Sequence, residues 1–172
     1  ACRAQLGLPA QDRLILFIGN LVPVKGLDGL LESFQAVVGA GQEWSASLVL
    51  LGEGPLRADL ERRVAASGLQ ERVRFLGARP HQEIPLWLGA ADVLCLPSRH
   101  EGHPNVVVEA LACGRPVVGT AVGAIPQLLK NPACGLVVPA GDPAALAQAL
   151  RRSLAALWEP ERIRQAVADR TW

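Results

Sequence analysis

A doubly wound, Rossmann-like α/β fold, a parallel sheet of about six strands with helices on both faces, is what this 172-residue sequence predicts. Three observations carry that expectation. Short apolar runs closing on glycine recur along the chain, and each is followed by a segment with apolar residues at helical spacing. Continuous apolar runs suit strands buried on both faces, and alternation with helices suits a sheet wound on both sides. Hydrophobic residues make up 50% of the chain and aromatics only 4%, so the core is aliphatic, as stacked strands and helices require. The length fits one domain over residues 1–172.

The elements follow in order. Residues 14–19, Leu-Ile-Leu-Phe-Ile-Gly, form the first strand, and Leu27, Leu30, Leu31, Phe34, Val37 and Val38 mark a helix ended by Gly39 and Gly41. Ser47 to Leu51 is a second strand, closing on Gly52-Glu53-Gly54-Pro55 before a helix carrying Leu56, Leu60, Val64 and Ala65. Val73 to Gly77 is a short third strand, Ile84 to Leu88 a short helix, and Val93 to Leu96 the fourth strand. A helix carrying Glu109 follows, ended by Gly114 and stopped by Pro116. Residues 116–119 and 135–139 give two further strands, with a short helix from Ala124 to Leu129 between them. Asp142 before Pro143 reads as an N-cap with proline at the first helical position, opening a helix through Leu146, Leu150 and Leu157. Another helix starts at Pro160.

Composition narrows the function classes. Seventeen Lys and Arg against sixteen Asp and Glu leave a formal charge of +1, which gives no general attraction to nucleic acid or an anionic membrane, so any anion site is local. The four cysteines form neither a CxxC pair nor a metal-spaced cluster; they read as buried reduced thiols of a cytoplasmic protein. No stretch approaches the ~20 apolar residues of a membrane span, and no basic segment precedes an apolar signal core. The abrupt ends, Ala1-Cys2-Arg3 and Asp169-Arg170-Thr171-Trp172, are those expected of a piece cut from a longer chain.

Chemistry concentrates in two stretches. In the loop after the first strand, Gly19-Asn20-Leu21-Val22-Pro23-Val24-Lys25-Gly26, a helix N-terminus offers unpaired N–H groups and Lys25 a full charge, which together suit a phosphate. Equally, Lys25 could simply start a surface helix, since the loop is neither GxGxxG nor a P-loop. The second stretch runs from Ser98 to Thr120, with Glu101 in the strand-to-helix loop and Glu109 inside the next helix. Both acids are expected to face the crevice at the carboxyl ends of the strands, where open α/β sheets bind ligands. Gly102 allows close backbone approach and Pro104 suits a first helical turn. Carboxylates there could accept hydrogen bonds from sugar hydroxyls and hold a ribose diol; the alternative is a solvated loop acid beside a helix-surface acid. Of the histidines, His103 lies within the Glu101 loop, whereas His81 falls in a polar turn and is expected to be exposed. No H-x-E or HExxH spacing suggests a metal, and no G-x-S-x-G elbow suggests a serine nucleophile. Asp92 is expected to cap a backbone group at a strand start.

Taken together, the segments G-N-L-V-P-V-K-G-L-D, G-E-G-P-L, V-R-F-L-G, A-A-D-V-L-C-L-P-S, E-G-H-P-N-V-V-V-E-A-L-A-C-G-R-P-V-V and G-L-V-V-P-A-G-D-P-A-A-L-A resemble the C-terminal domain of a retaining GT-B glycosyltransferase of glycosyltransferase family four. The resemblance implies a donor-binding half that needs an N-terminal acceptor domain absent from this chain. It implies a UDP- or GDP-linked sugar as donor, transfer with retention, and no required cofactor or metal. It also implies an acceptor that is a saccharide, lipid or small molecule, met in the cytoplasm or at the inner membrane face. By the same resemblance, Lys25 neutralises the donor diphosphate and Glu101 contacts the transferred sugar. Gly19, Asn20 and the Gly102-His103-Pro104-Asn105 backbone line the sugar and phosphates, Glu109 binds the ribose, and the loop around Arg79 frames the base. One position departs from the family: Asn20 stands where an Arg is usual, five residues before the lysine, and an amide brings no charge to the phosphates. The same architecture would serve a nucleotide-sugar epimerase or a non-catalytic nucleotide-binding module; the E-x7-E segment fits the transferases better.

Overall fold

The computed structural model describes residues 2–41 and 43–168; Ala1 and residues 169–172, on which the expectation about the chain ends rests, lie outside them. After a four-residue helix α1 (Cys2–Gln5), which the sequence did not suggest, six strands form one sheet: β1 (Arg13–Ile18), β2 (Ala46–Leu51), β3 (Val73–Phe75), β4 (Val93–Leu96), β5 (Val117–Thr120) and β6 (Gly135–Val138). Their order is β3-β2-β1-β4-β5-β6, and every pairing is parallel. The helices are α2 (Leu27–Gly39), α3 (Arg57–Ala66), α4 (Ile84–Ala90), α5 (Asn105–Ala112), α6 (Ile125–Leu128), α7 (Pro143–Ala155) and α8 (Pro160–Ala168). The predicted doubly wound α/β class is the observed one.

Topology follows from chain order and handedness. From β1 the sheet grows outward through β2 to β3, and from β4 it grows the other way to β6. Right-handed crossovers therefore lay the connecting helices of the two halves on opposite faces. In consequence α2 packs on α7 across one face, and α5 packs on α8 across the other. Strands covered on both sides must be apolar throughout, which is why Leu14, Ile15, Leu16 and Phe17 of β1 and all four residues of β4 are buried.

Local chemistry sets the ends of elements. Asp142 Oδ1 accepts a hydrogen bond from the Ala145 N–H at 2.9 Å, the N-cap expected for α7. That helix stops at Ala155, so Leu157 lies beyond it and is 99% exposed, where the helical spacing had placed it in the buried stripe. Asp92 performs its capping role: Oδ2 accepts from the Leu14 N–H at 2.6 Å and from Arg3 Nη2 at 2.5 Å. At the start of β1, Asp12 accepts from the Ser45 and Ser47 hydroxyls, and these bonds hold its carboxyl below the usual carboxylate range.

The cysteines divide. Cys95 and Cys134 are buried, and burial pushes the Cys95 thiol far above its ordinary range, so it is inert. Cys2 and Cys113 are only partly covered, which corrects the expectation that all four are buried; all four are free thiols. Leu150 is fully buried where α7 meets the sheet. Leu150→Ala is expected to cost about 2–5 kcal/mol, measured as a lowered urea midpoint with an unchanged slope.

Candidate functional site

At the divergence of β1 and β4 the loops leaving their carboxyl ends turn to opposite faces and open a crevice. The loop after β1 holds a short 3-10 turn, Pro23–Lys25, closed by Gly26 at φ 66°, which also starts α2. A left-handed residue is needed there for two reasons. It ends one turn and begins another, and any side chain would run into the Pro97 carbonyl of the loop after β4. The two loops are then fastened together: the Arg99 N–H donates to the Val24 carbonyl at 2.8 Å, and Arg99 Nη2 pairs with Asp28 of α2 at 2.5 Å.

This close approach delivers Lys25 to Glu101. The Lys25 Nζ lies 2.5 Å from Glu101 Oε1, with the two side chains 22% and 9% exposed. Ser98 Oγ, from a residue buried in the loop just after β4, donates to the same Oε1 at 2.6 Å. Behind it Thr120, the last residue of β5, donates from Oγ1 to the Ser98 carbonyl at 2.5 Å. The loop after β5 reaches the same place. The Ala124 N–H donates to the Gly102 carbonyl at 2.9 Å, and Gly123, at φ 52°, has no side chain to strike the Glu101 carbonyl.

Helix α5 begins at Asn105 with Pro104 at its N-cap and no side-chain cap; the Val107 N–H turns back to the Pro104 carbonyl at 3.1 Å, and the N–H groups of Asn105 and Val106 ahead of it are left to a ligand or solvent. Gly102, His103 and Asn105 are exposed on the way into it, while Pro104 is buried. Glu109, about one turn further along α5, faces a different neighbour: its Oε1 is 3.6 Å from His81 Nε2. His81 sits in a 3-10 turn (His81–Glu83) just beyond Arg79, itself exposed on the loop after β3.

Gly19 and Asn20 lie against the loop after β2. The Gly19 N–H donates to Leu51 O at 2.9 Å, the Leu21 N–H to Glu53 O at 2.9 Å and the Leu56 N–H back to Leu21 O at 3.1 Å. Gly52 in turn donates to Gly77 O at 2.9 Å, tying in the loop that carries Arg79.

The structure thus makes two groupings from the sequence-predicted residues: Lys25 with Glu101, and Glu109 with the segment beside Arg79. Two partners escaped the sequence reading. Ser98 was legible only as the first residue of the Ser98–Thr120 stretch, with no role of its own, and His81, exposed as expected, was not linked to Glu109. Among the described residues no group of three or more His, Cys, Asp or Glu could hold a metal ion, and no helix is long and apolar enough to cross a membrane.

Comparison with known proteins places the chain in a family. Residues 12–156 match the family described as glycosyl transferases group 1, and the chain belongs to that family. It is 36% identical over 166 residues to a 2-deoxystreptamine N-acetyl-D-glucosaminyltransferase of Streptomyces fradiae, a match covering 95% of this chain and 38% of that protein. Among solved structures it is similar to sucrose-phosphate synthase from Thermosynechococcus elongatus, at 34% identity and a TM-score of 0.79, over 96% of this chain and 41% of that one. Its fold is also that of the C-terminal domain of a group 1 glycosyltransferase from Francisella tularensis, at 24% identity and a TM-score of 0.78, over 98% of this chain and 86% of that one. The chain spans less than half the length of the first two proteins.

The loop-to-loop contact is testable. Gly26→Ala is expected to lose about 2 kcal/mol or more of stability, since the left-handed backbone and the Pro97 carbonyl both oppose a side chain. Urea unfolding would measure it, and Gly39→Ala, at a helical site with open space around it, is the control expected to be neutral or stabilising.

Proposed function

We propose that this chain is the donor-binding half of a two-domain glycosyltransferase, which takes a UDP- or GDP-linked sugar and passes the sugar to an acceptor with retention at the anomeric carbon. The observation that carries the reading is the meeting of Lys25 and Glu101 at the β1/β4 divergence, 2.5 Å apart and beside the uncapped start of α5. A cation, an acid and free backbone N–H groups gathered in one crevice match the needs of a sugar diphosphate. Family membership supports transfer as the reaction, because the relatives named above are themselves transferases or a sugar-phosphate synthase.

In this reading Lys25 swings to the diphosphate as charge develops on the leaving group. The Gly102–Asn105 backbone lies along the sugar and phosphates, with Gly19 and Asn20 lining the opposite wall. Stabilisation of a departing diphosphate by groups already in place is electrostatic catalysis. Glu101 then orients the sugar through its hydroxyls, Glu109 takes the ribose diol, and the backbone around Arg79 frames the base. Asn20 can donate a hydrogen bond to phosphate without adding charge, so Lys25 bears most of the electrostatic task on this side. The acceptor and further catalytic groups belong to an N-terminal domain, so the chain alone is expected to bind donor and transfer nothing. It acts in the cytoplasm, with acceptors at the membrane face reached through that other domain.

Calorimetric titration with a panel of UDP- and GDP-sugars tests the reading. Lys25→Ala and Glu109→Ala are each expected to weaken the best donor about tenfold or more, the range for removing a charged hydrogen-bond partner. Unchanged binding in both variants would sink the site.

A further inference from the structure

We propose that Ser98 is a positioning residue for Glu101: its hydroxyl keeps the Glu101 carboxylate seated when the donor diphosphate draws Lys25 away. The inference rests on the donor-site reading above.

Three observations lead to it. First, Lys25 Nζ and Ser98 Oγ bind the same oxygen, Glu101 Oε1, at 2.5 and 2.6 Å. A diphosphate offers the ammonium more negative charge than one carboxylate does, so donor binding competes directly with the Lys25–Glu101 pair. Second, the Glu101 side chain is only 9% exposed. A carboxylate so covered is costly to leave without a partner once its cation departs. A serine hydroxyl has a single proton to donate, and in this structure it goes to Glu101.

Third, the two partners stand on different footings. Lys25 reaches in on a long flexible stem from a turn. Ser98 follows the buried end of β4, and its backbone is held from the next strand by the Thr120 hydroxyl at 2.5 Å. Both Ser98 and Thr120 are buried. The serine is therefore tied to the sheet through Thr120, whereas the lysine is free to move toward a ligand. With Ser98 in place, the loss of Lys25 leaves Oε1 anchored and the carboxylate aimed where the transferred sugar must lie. Without it, Glu101 is free to turn toward solvent or to follow Lys25.

A position that only filled space would be insensitive to which part of the ligand is present. The test uses that difference. Wild type, Ser98→Ala, Glu101→Gln and the double variant are titrated with the UDP- or GDP-sugar that binds this chain most tightly and with the matching nucleoside diphosphate, after thermal melts establish that each is folded. Ser98→Ala is expected to weaken the sugar nucleotide about tenfold to a hundredfold, the range of one hydrogen bond to a charged group. It should leave the nucleoside diphosphate within about twofold, because the sugar-directed contact is the one that hydrogen bond supports. The double variant should bind no more weakly than Glu101→Gln alone. Thr120→Val, which keeps the shape and removes the bond to the Ser98 carbonyl, should act in the same direction more weakly and serves if Ser98→Ala does not fold. Equal weakening of both ligands, no change in either, or additive losses in the double variant would overturn the proposal. Failure of the site itself has a separate signature: Lys25→Ala and Glu109→Ala would then bind the nucleoside diphosphate like wild type, which overturns this inference with it.

Discussion

The divergence of the chain between β1 and β4 is the constraint on which the rest of the site depends. Two parallel neighbours whose connections leave in opposite directions cannot have their loops cover one another, so a crevice opens at their carboxyl ends. Sequence then decides what the crevice contains. Gly26 and Pro97 bring the two loops into van der Waals contact, and Lys25 and Glu101 are carried in from either side. A bulkier residue at position 26 would separate the loops and with them the pair.

The pair itself is a compromise. Two charges with side chains 22% and 9% exposed have shed much of their hydration, and a bond of 2.5 Å recovers it only while both remain in place. As a device for stability this is weak. As a device for binding it is useful, because a cation already stripped of water is ready for an anion that outcompetes the carboxylate. Around it the loops after β1, β2, β3, β4 and β5 are laced by backbone hydrogen bonds into a continuous rim. These loops are therefore held in place before any ligand arrives, and the proposed binding asks movement only of side chains such as Lys25.

Most of the fold was legible because its signals are local. Apolar runs gave all six strands within a residue or two, and Asp142-Pro143 fixed the start of α7. Leu157 misled because helical spacing continues past Ala155 in sequence after the helix has stopped. Helix α1 carries no buried residue and so left no periodicity to read. At the site, Lys25, Glu101 and Glu109 could be picked out as charges in apolar or glycine-rich surroundings, but their grouping could not. Lys25 and Glu101 are 76 residues apart, and His81 and Glu109 are joined only by the packing of α4 and α5. Ser98 is the clearest omission, since a buried hydroxyl announces itself only once its burial is known.

The central claim, that a nucleotide-sugar binds where the loops after β1 and β4 meet, is tested most directly by following backbone amide shifts of the isotope-labelled chain as UDP and GDP are added. The account predicts saturable changes concentrated at Gly19–Gly26, at Gly102–Asn105 and around Glu109 and Arg79. Changes centred instead between the starts of α2 and α7, around Glu32, Gly141 and Asp142, would contradict it.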